Sequence, residues 1–383
     1  MSGPLEGIRV IELAGIGPCP FGSMVLADLG ADVLRVERSS AVPETLPDGP
    51  SWDLLNRGKR SIGVDLKHPD GVALVLSLAE RADVLVEGFR PGVVERLGVG
   101  PEACRARNPR LVYGRMTGWG QDGPLAPRAG HDIDYIALAG ALDPIGRAGE
   151  RPVPPLNLLG DFGGGGLLLA LGVVSAVLSA QRTGEGQVVD TAMVDGAALL
   201  TTMIWAFRSL GMWKDERGTN LLDTGAPFYE VYECADGRHV AVGALEPEFY
   251  GALLDVMGLS PGEVPRQMDR DQWAASKPRY AEIFKTLTRD EWVERAAGTD
   301  ACLAPVLAMG EALEDPHNKA RGTFVDVAGV VQPGPAPRFE RTPSSLPTPP
   351  VWPGERGAEA LTDWGLSAEE IATLCEESVL YLR

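Results

Sequence analysis

The sequence contains few of the residues that usually build metal sites and disulfide frameworks. It has four histidines, five cysteines and 6% aromatic residues in 383 positions. The cysteines are scattered, without the close pairs that zinc ribbons and redox motifs show. They are Cys19, Cys104, Cys234, Cys302 and Cys375. We therefore expect reduced thiols and no bound metal. A Gly-x-Ser-x-Gly elbow is also missing, so nucleophilic serine chemistry has no support.

Basic residues are outnumbered, with 35 Lys and Arg against 53 Asp and Glu, for a net charge of −18. This balance argues against non-specific binding to nucleic acid or to an anionic membrane, because both reward basic patches. An anionic ligand must then meet a local basic cluster. The apolar run at residues 167–178 is shorter than a membrane span. Neither end of the sequence carries a recognisable targeting signal, so the expected location is the cytoplasm.

Strands alternate with helices through the first half of the sequence. Strands are predicted at residues 8–13, 32–37, 61–66, 83–87, 110–116 and 187–192, and helices at 21–29, 69–81 and 167–178. Such alternation predicts an α/β fold with a doubly wound, mostly parallel sheet, whose ligand lies beyond the carboxyl ends of the strands. The loops after residues 37, 66, 87 and 116 are therefore candidate binding loops.

The turn after the first predicted strand begins like a dinucleotide-binding fingerprint. It has Gly15 and Gly17 and is followed by Glu37 about twenty residues later, but Pro20 takes the place of the third glycine. The nicotinamide interpretation is weakened by this proline. Two readings stay open: the turn holds some other phosphate, or it only reverses the chain.

Four segments are predicted along the chain. Residues 1–196 form a large Rossmann-like domain, 197–219 a linker helix and 220–315 a smaller α+β domain, and a long apolar helix is predicted at 193–210. The smaller domain contains a hairpin at 227–242 and helices at 246–257 and 280–297. Residues 316–383 are an extended return segment, proline-rich at 332–354, and a C-terminal helix at 366–378 capped by Ser367.

Basic residues concentrate near the predicted strand ends. They are Arg35, Arg38, Arg57, Lys59, Arg60, Lys67, Arg90 and Arg96. For any one of them a solvated surface position is the ordinary explanation. Their shared position near strand ends, in a chain this acidic, favours a site for an anionic ligand. Arg90 also directly precedes Pro91, so charge and a helix dipole converge there.

Three residues are candidates for acid–base chemistry. His131 stands at a loop-to-helix start, and Asp161 stands where an N-cap belongs, before the apolar run and within the glycine-rich residues 160–166. A helix start with free N–H groups suits a developing enolate, although capping alone also explains an aspartate there. Glu246 follows a strand and precedes a helix, so capping is again the alternative. If Glu246 meets His131, the site lies between domains or between subunits.

Several motifs resemble those of one known family. Residues 4–10, 27–33, 87–92 and 184–190 are similar to the motifs of the family III CoA-transferases. The segments 130–132, 160–164 and Glu246-Pro247 are similar, more narrowly, to the racemase branch of that family, the α-methylacyl-CoA racemases. The resemblance covers nearly the whole sequence, and the pattern at 160–164 is the most specific part of it.

The resemblance implies an interlocked homodimer whose active sites use both chains, with an acyl-CoA thioester as substrate. It implies no cofactor, since CoA is part of the substrate, and no metal. The residues that would hold CoA are Arg38, Val64, Asp65, Leu66, Lys67, Glu87, Gly88, Phe89, Arg90, Arg96, Gly130, Asp132, Ile133, Asp134 and Tyr135.

The implied reaction interconverts (2R)- and (2S)-2-methylacyl-CoA through an enolate. His131 would serve one face of the α-carbon and Asp161 the other, with Glu246 supporting His131 and backbone N–H groups after Asp161 holding the enolate oxygen. Two alternatives stay open. One is CoA transfer with Asp161 as covalent nucleophile, and the other is a non-catalytic acyl-CoA-binding protein. The sequence carries no motif for the acyl chain.

Overall fold

The computed structural model describes residues 2–42 and 50–383. The strands are β1 (Arg9–Leu13), β2 (Asp32–Arg38), β3 (Lys59–Val64), β4 (Val84–Glu87), β5 (Val112–Thr117), β6 (Val188–Ala192), β7 (Tyr229–Glu233), β8 (His239–Gly243), β9 (Leu303–Pro305), β10 (Phe324–Val327), β11 (Val330–Pro333) and β12 (Leu380–Tyr381). The helices are α1 (Pro18–Asp28), α2 (Pro69–Ala79), α3 (Val93–Arg96), α4 (Pro101–Arg107), α5 (Asp132–Leu138), α6 (Leu168–Thr183), α7 (Met193–Leu200), α8 (Thr202–Ser209), α9 (Pro247–Met257), α10 (Trp273–Phe284), α11 (Arg289–Ala296), α12 (Met309–Glu314), α13 (Pro316–Arg321), α14 (Gly357–Asp363) and α15 (Ala368–Glu376).

The chain divides into two compact units. The first consists of the described residues up to Ala139 together with Leu156–Leu200 and Ala320–Arg383, and the second of Gly140–Pro155 and Thr201–Lys319. The division differs from the predicted boundaries at residues 140–155, which the sequence assigned to the large domain. These residues belong with the second unit because the Arg217 guanidinium donates to the carbonyl oxygens of Asp143 and Glu150.

The first unit is built on a seven-stranded sheet in the order β12-β3-β2-β1-β4-β5-β6. The six strands β1 to β6 are parallel, and β12 adds to the β3 edge in the antiparallel direction. The predicted α/β fold with a mostly parallel sheet is thus confirmed. The strand order reverses between β1 and β4, and a crevice forms at such a point beyond the carboxyl ends of the strands.

Helices cover both faces of this sheet, as a doubly wound fold requires. Successive side chains of a strand point to opposite faces. Ile11 of β1 belongs to a core with Leu74 of α2 and Trp364. Its neighbour Val10 belongs to a separate core with Leu26 of α1 and Leu169 of α6.

A wide helical turn over Leu158–Leu167, with the i to i+5 spacing of a π-helix, leads directly into α6. Its glycines allow close packing: a Cβ atom at Gly164 would lie 2.7 Å from the backbone nitrogen of Ala197 in α7. Asp161 is therefore not the N-cap that the sequence predicted. Asn157 holds the N-cap position, and Asp161 is the fourth residue of the wide turn.

The continuous helix from Leu158 to Thr183 is longer than the apolar run expected from the sequence. It has 26 residues, and an 18-residue window within it has a mean hydropathy of 1.9, so by length and composition it could cross a membrane. The core helix of a folded domain meets the same test. Here the helix packs against α1 and β5, and Leu169 and Val173 lie in the core.

The second unit contains a three-stranded antiparallel sheet in the order β7-β8-β9. The predicted hairpin is confirmed, with Tyr229 paired to Gly243 and Glu233 paired to His239. Much of the small aromatic content of the chain lies in the core of this unit. The buried aromatic side chains there are Phe228, Tyr232, Tyr250, Trp273, Tyr280, Phe284 and Trp292.

Two helices predicted as continuous are broken. The expected helix at 193–210 is interrupted and consists of α7 followed by α8, because Thr201 leaves the helical conformation at φ −90° and ψ 8°. The predicted linker helix at 197–219 is therefore not a single helix. The expected helix at 280–297 is the end of α10 followed by α11. The break occurs because the Thr288 hydroxyl caps α11 by accepting from the backbone N–H of Glu291.

The C-terminal part follows the sequence-based expectation more closely. Between β11 and α14 the chain has neither strand nor helix, as the proline content predicted. The predicted C-terminal helix is α15, and the Ser367 hydroxyl accepts from the backbone N–H of Glu370 at 3.2 Å.

Candidate active site

A cavity of about 360 Å³ lies in the first unit at the carboxyl ends of β1, β4 and β5. This is the point where the strand order reverses, and the volume falls in the usual range for small-molecule sites. The cavity is lined by Ile16–Cys19, Gly88–Pro91, Met116–Trp119, Ala126, Arg128–His131, Tyr135, Asp161 and Met193. The structure therefore brings His131 and Asp161 into one cavity.

His131 occupies the N-cap position of α5. Its backbone N–H donates to Oδ2 of Asp134 at 3.0 Å, and the Asp134 N–H donates back to the His131 carbonyl at 2.8 Å. This reciprocal capping holds His131 in an extended conformation, with φ −132° and ψ 172°. The residue is exposed, so its imidazole is accessible to a ligand in the cavity.

The Asp161 carboxyl is half-buried, and its Oδ2 accepts a hydrogen bond from the side-chain amide of Asn157 at 3.2 Å. Burial has the largest effect and raises the pKa of Asp161 above its ordinary value of 3.8. The charge of Asp132 also raises this pKa, whereas the hydrogen bond from Asn157 and the neighbouring His131 lower it. The net effect is a carboxylate more basic than usual, which suits a group that must accept a proton.

Asp132 is buried, and its carboxylate points toward the wide turn. Its Oδ1 accepts from the backbone N–H groups of Gly160 and Asp161, each at 2.7 Å. A Cβ atom at Gly160 would lie 2.6 Å from the same oxygen, so glycine is required there. The carboxylate that the resemblance placed near CoA is thus engaged with the segment that carries Asp161.

The glycines of the wide turn are placed differently from what the sequence suggested. Gly164, Gly165 and Gly166 are buried, and Gly166 packs on Pro18 and Phe21 of α1. Of residues 160–166, Asp161 lines the cavity. The expectation that the N–H groups after Asp161 surround an enolate stays a prediction, because the buried glycines serve helix packing.

Tyr135 and Trp119 form an aromatic wall of the cavity. Their rings meet edge to face at a centroid distance of 4.7 Å, and the Tyr135 hydroxyl donates to the Gly130 carbonyl. Burial raises the pKa of Tyr135 to about 12, with Asp161 contributing, so the phenol stays a hydrogen-bond donor at neutral pH. The Trp119 Nε1 is buried without a hydrogen-bond partner among the described residues. By contrast, Ile133 and Asp134 are exposed on the first turn of α5.

Four of the predicted CoA-binding cations are available to an anionic ligand. Arg38 ends β2, Lys67 follows β3, and Arg90 and Arg96 follow β4, so all four lie at the same edge of the sheet. Each is exposed, and within residues 2–42 and 50–383 no salt bridge engages any of them. In a chain of charge −18, unpaired cations at one edge suit the phosphates of CoA.

The other basic residues noted near strand ends have structural roles. Arg57 pairs with Asp28 at 2.5 Å, and Lys59 pairs with Glu12 at 2.7 Å. Arg60 pairs with Asp32 at 2.7 Å, and Arg35 pairs with Glu12 and with Glu37. These four cations are buried, so the sequence-based association of them with an anionic ligand was wrong.

The loops after β3 and β4 are held by their own polar groups. Val64 is buried, Leu66 packs against the core, and Asp65 Oδ1 accepts from the backbone N–H of Lys67 at 3.0 Å. Glu87 is fully buried and accepts from the Phe89 N–H at 2.7 Å and from Arg115 at 2.9 Å.

The buried Glu87 carboxyl shapes the loop that follows it. Burial raises its pKa to about 7, although the Phe89 N–H and Arg115 lower it. Gly88, Phe89 and Arg90 line the cavity. Glu87 itself is buried beneath the cavity lining and holds the loop through the hydrogen bond that it accepts from the Phe89 N–H.

Glu246 lies in the second unit, at the N-cap position of α9. Its side chain is exposed and makes no capping hydrogen bond, so capping does not account for this carboxylate. Its predicted support of His131 stays a prediction. No group of three or more His, Cys, Asp or Glu side chains suited to a metal ion occurs in the part of the chain that the structure describes.

Asn157 and Trp119 are two of the site residues that sequence reasoning missed. Trp119 lies two residues beyond the end of β5, in a loop already identified as a candidate binding loop. Asn157 lies four residues before Asp161, the spacing at which helical neighbours meet. The signal in the sequence was therefore positional: Trp119 follows a predicted strand, and Asn157 lies one helical turn before Asp161.

Comparison with known proteins shows the family of the chain. The profile of "CoA-transferase family III" matches residues 5–355. The α-methylacyl-CoA racemase of Mus musculus is 47% identical over 380 residues, covering 98% of this chain and 97% of the mouse protein. That of Homo sapiens is 46% identical over 381 residues, with the same two coverages. A CaiB/BaiF family protein from Brucella suis has a crystal structure with a TM-score of 0.80 and 28% identity, covering 95% of this chain and 100% of that one.

The match to the family profile spans most of the chain, and the similarity to the two racemases is nearly full-length. The sequence-based resemblance is thereby confirmed, and the chain belongs to the CoA-transferase family III.

Proposed function

We propose that this protein racemises 2-methylacyl-CoA thioesters by moving the α-proton between His131 and Asp161. The observation that carries the proposal is that an imidazole and a basic carboxylate line one cavity together with the exposed cation Arg90. The near full-length similarity to the mouse and human racemases supports the same activity. A racemase needs one base on each face of the α-carbon, and this pair supplies two.

The reaction balances without any other reactant. One residue removes the α-proton, the electrons of the broken C–H bond move to the thioester oxygen, and an enolate forms. The other residue then gives its proton to the opposite face of the α-carbon. The basic carboxylate of Asp161 and the accessible imidazole of His131 fit these two roles. CoA enters as part of the substrate, and no separate cofactor takes part.

The thioester would be anchored through its CoA phosphates at the exposed cations Arg38, Lys67, Arg90 and Arg96. The reacting carbon would then lie in the cavity between His131 and Asp161. By resemblance, Glu246 supports His131, and a second copy of the chain completes the active site as an interlocked homodimer. Three large apolar side chains on the helix from Leu158 to Thr183, those of Leu167, Leu171 and Leu178, are exposed, and exposed apolar surface of this kind is typical of protein interfaces.

Incubation of a single enantiomer of 2-methylacyl-CoA in deuterium oxide tests the activity. We expect deuterium at the α-carbon together with loss of optical purity. If neither occurs over a panel of branched, sterol-like and arylpropionyl acyl chains, the racemase proposal fails. The Asp161→Ala variant should retain CoA-ester binding and lose exchange, and normal exchange in it would remove Asp161 from the mechanism.

The main alternative within the family is CoA transfer, in which Asp161 attacks the thioester and becomes acylated. The family resemblance implies a glycine-rich loop in the small domain of transferases, whereas the segment from Val242 to Pro247, at the junction of β8 and α9, holds a single glycine. This argues for racemisation. Acyl exchange with an added free carboxylate acceptor would favour transfer, and tight ligand binding with neither reaction would favour a non-catalytic acyl-CoA-binding protein.

A further inference from the structure

Asp132 connects the two proposed proton carriers. It follows His131 directly in the chain, and its Oδ1 accepts from the N–H groups of Gly160 and Asp161, both at 2.7 Å. One carboxylate thus ties the start of α5, at the residue after His131, to the wide turn that carries Asp161. These two hydrogen bonds therefore join the two segments that carry His131 and Asp161.

The second oxygen of this carboxylate has no hydrogen-bond partner. Asp132 is 6% exposed, and its Oδ2 is buried and unpartnered among the described residues. Burying an anion without a counter-ion is costly. Part of that cost is offset by the positive end of the helix that begins at Leu158, because the N–H groups of its first turn point at Asp132. A neutral Asn side chain would accept the same two hydrogen bonds. The bonds alone therefore do not require a negative charge at this position.

The charge acts on Asp161. Besides burial, which has the largest effect, the pKa of Asp161 is raised by Asp132 and lowered by Asn157 and His131. Tyr135 also faces Asp161, and its own phenol is under the influence of Asp134 and Arg90. Among these neighbours, Asp132 is the anion buried directly against the backbone of Asp161. An adjacent negative charge makes a carboxylate a stronger base, and a stronger base removes a proton from carbon more readily.

We propose that Asp132 is a positioning residue for proton transfer, which fixes Asp161 relative to His131 and strengthens Asp161 as a base through its buried negative charge. The inference rests on the proposed racemase function. It assigns to Asp132 a role different from the CoA contact that the family resemblance implied.

The Asp132→Asn variant tests this role, because it keeps an acceptor oxygen and the side-chain shape while removing the charge. We expect the acidic limb of the pH profile for α-deuterium incorporation to move to lower pH, since Asp161 becomes easier to deprotonate. Above that limb the kcat should fall about three- to tenfold, because a weaker base removes the proton more slowly. KM should change less than about twofold, as expected of a group that does not bind the substrate.

Glu102→Gln is the matched control, since it removes an exposed acid from the first turn of α4 and should leave the profile unchanged. If Asp132→Asn does not fold, as judged by thermal melting, Asp132→Ser keeps an uncharged acceptor and should show the same shift. An unmoved acidic limb with normal wild-type exchange would overturn this inference alone, as would a rise in KM with kcat unchanged. Absence of exchange in the wild-type protein would instead overturn the proposed function.

Discussion

The side-chain amide of Asn157 donates a hydrogen bond to Oδ2 of Asp161 over 3.2 Å. This bond stabilises the charged carboxylate and lowers the pKa of Asp161, against the larger effect of burial, which raises it. In Asn157→Ala the carboxylate should therefore hold its proton to a higher pH. We expect the acidic limb of the pH profile for α-deuterium incorporation to move up by about half to one pH unit. A shift of this size corresponds to the free energy of one hydrogen bond.

The expected shift is opposite in sign to that of Asp132→Asn, which provides an internal check on both. Exchange rates measured across the acidic limb with all variants at the same substrate concentration would show the two displacements. The variant should melt close to the wild-type temperature, because Asn157 is exposed. A limb that stays in place in Asn157→Ala would mean that Asp161 is not the group whose ionisation the profile reports.

The sheet and the location of the site could be predicted from the sequence. Short apolar runs such as β1 and β4, separated by helical segments, have few alternative folds, and the carboxyl ends of parallel strands meet at one edge. His131 and Asp161 were identified by their position at helix starts and by the family motifs. Both line the cavity at that edge.

Other features depend on contacts between residues distant in the chain, which a linear pattern does not encode. Lys59 and Arg60 were associated with a ligand because they stand close to a strand end, yet their partners Glu12 and Asp32 come from other strands. Asp161 was predicted to be an N-cap because it precedes an apolar run. The structure places it inside the helix, because the wide turn begins at Leu158.

Gly17 faces Asp161 from the turn between β1 and α1, and a Cβ atom there would lie 3.7 Å from Oδ2 of Asp161. Its φ of 68° is in the left-handed region. In Gly17→Ala we expect a loss of about 1–2 kcal/mol in the free energy of unfolding and a reduced exchange rate, because the backbone is strained and a methyl group enters the cavity.

The control is Gly15→Ala in the same turn, where a Cβ atom would have no neighbour within 4 Å and φ is not left-handed. Urea unfolding and deuterium incorporation measured on both variants should separate them clearly. Equal behaviour of the two would show that the turn relaxes without affecting Asp161.

Arg90 is an exposed cation that lines the cavity and has no salt-bridge partner among the described residues. If Arg90 binds a CoA phosphate, Arg90→Ala should raise KM about tenfold or more, because the variant loses the binding energy of a charge-assisted hydrogen bond. The melting temperature should change little. Arg110→Ala is the control, because Arg110 is also exposed but precedes β5 at the opposite end of the strands. Similar KM values for the two variants would exclude Arg90 from the binding site.

Glu12 is fully buried in β1 and pairs with Lys59 at 2.7 Å and with Arg35. Burial alone would raise its pKa, but the two cations hold it below the ordinary value of 4.5. Glu12→Gln leaves these buried cations without their shared anion, and we expect a loss of about 3–5 kcal/mol in the free energy of unfolding at pH 7. Glu80→Gln, which removes an exposed partner of Arg107, should change it little.

The same cluster supports the cavity, because Lys59 Nζ donates to the Pro20 carbonyl at 3.0 Å and Arg35 donates to the Gly15 carbonyl at 3.3 Å. Exchange activity in Glu12→Gln should therefore fall together with stability. Since the folded-state pKa of Glu12 is depressed, its contribution is present above about pH 4.5 and is lost as the pH falls through the folded-state value. Urea unfolding at pH 7 and pH 4 should show the difference between wild type and variant narrowing at the lower pH. A difference that widens there would contradict the ionic role of Glu12.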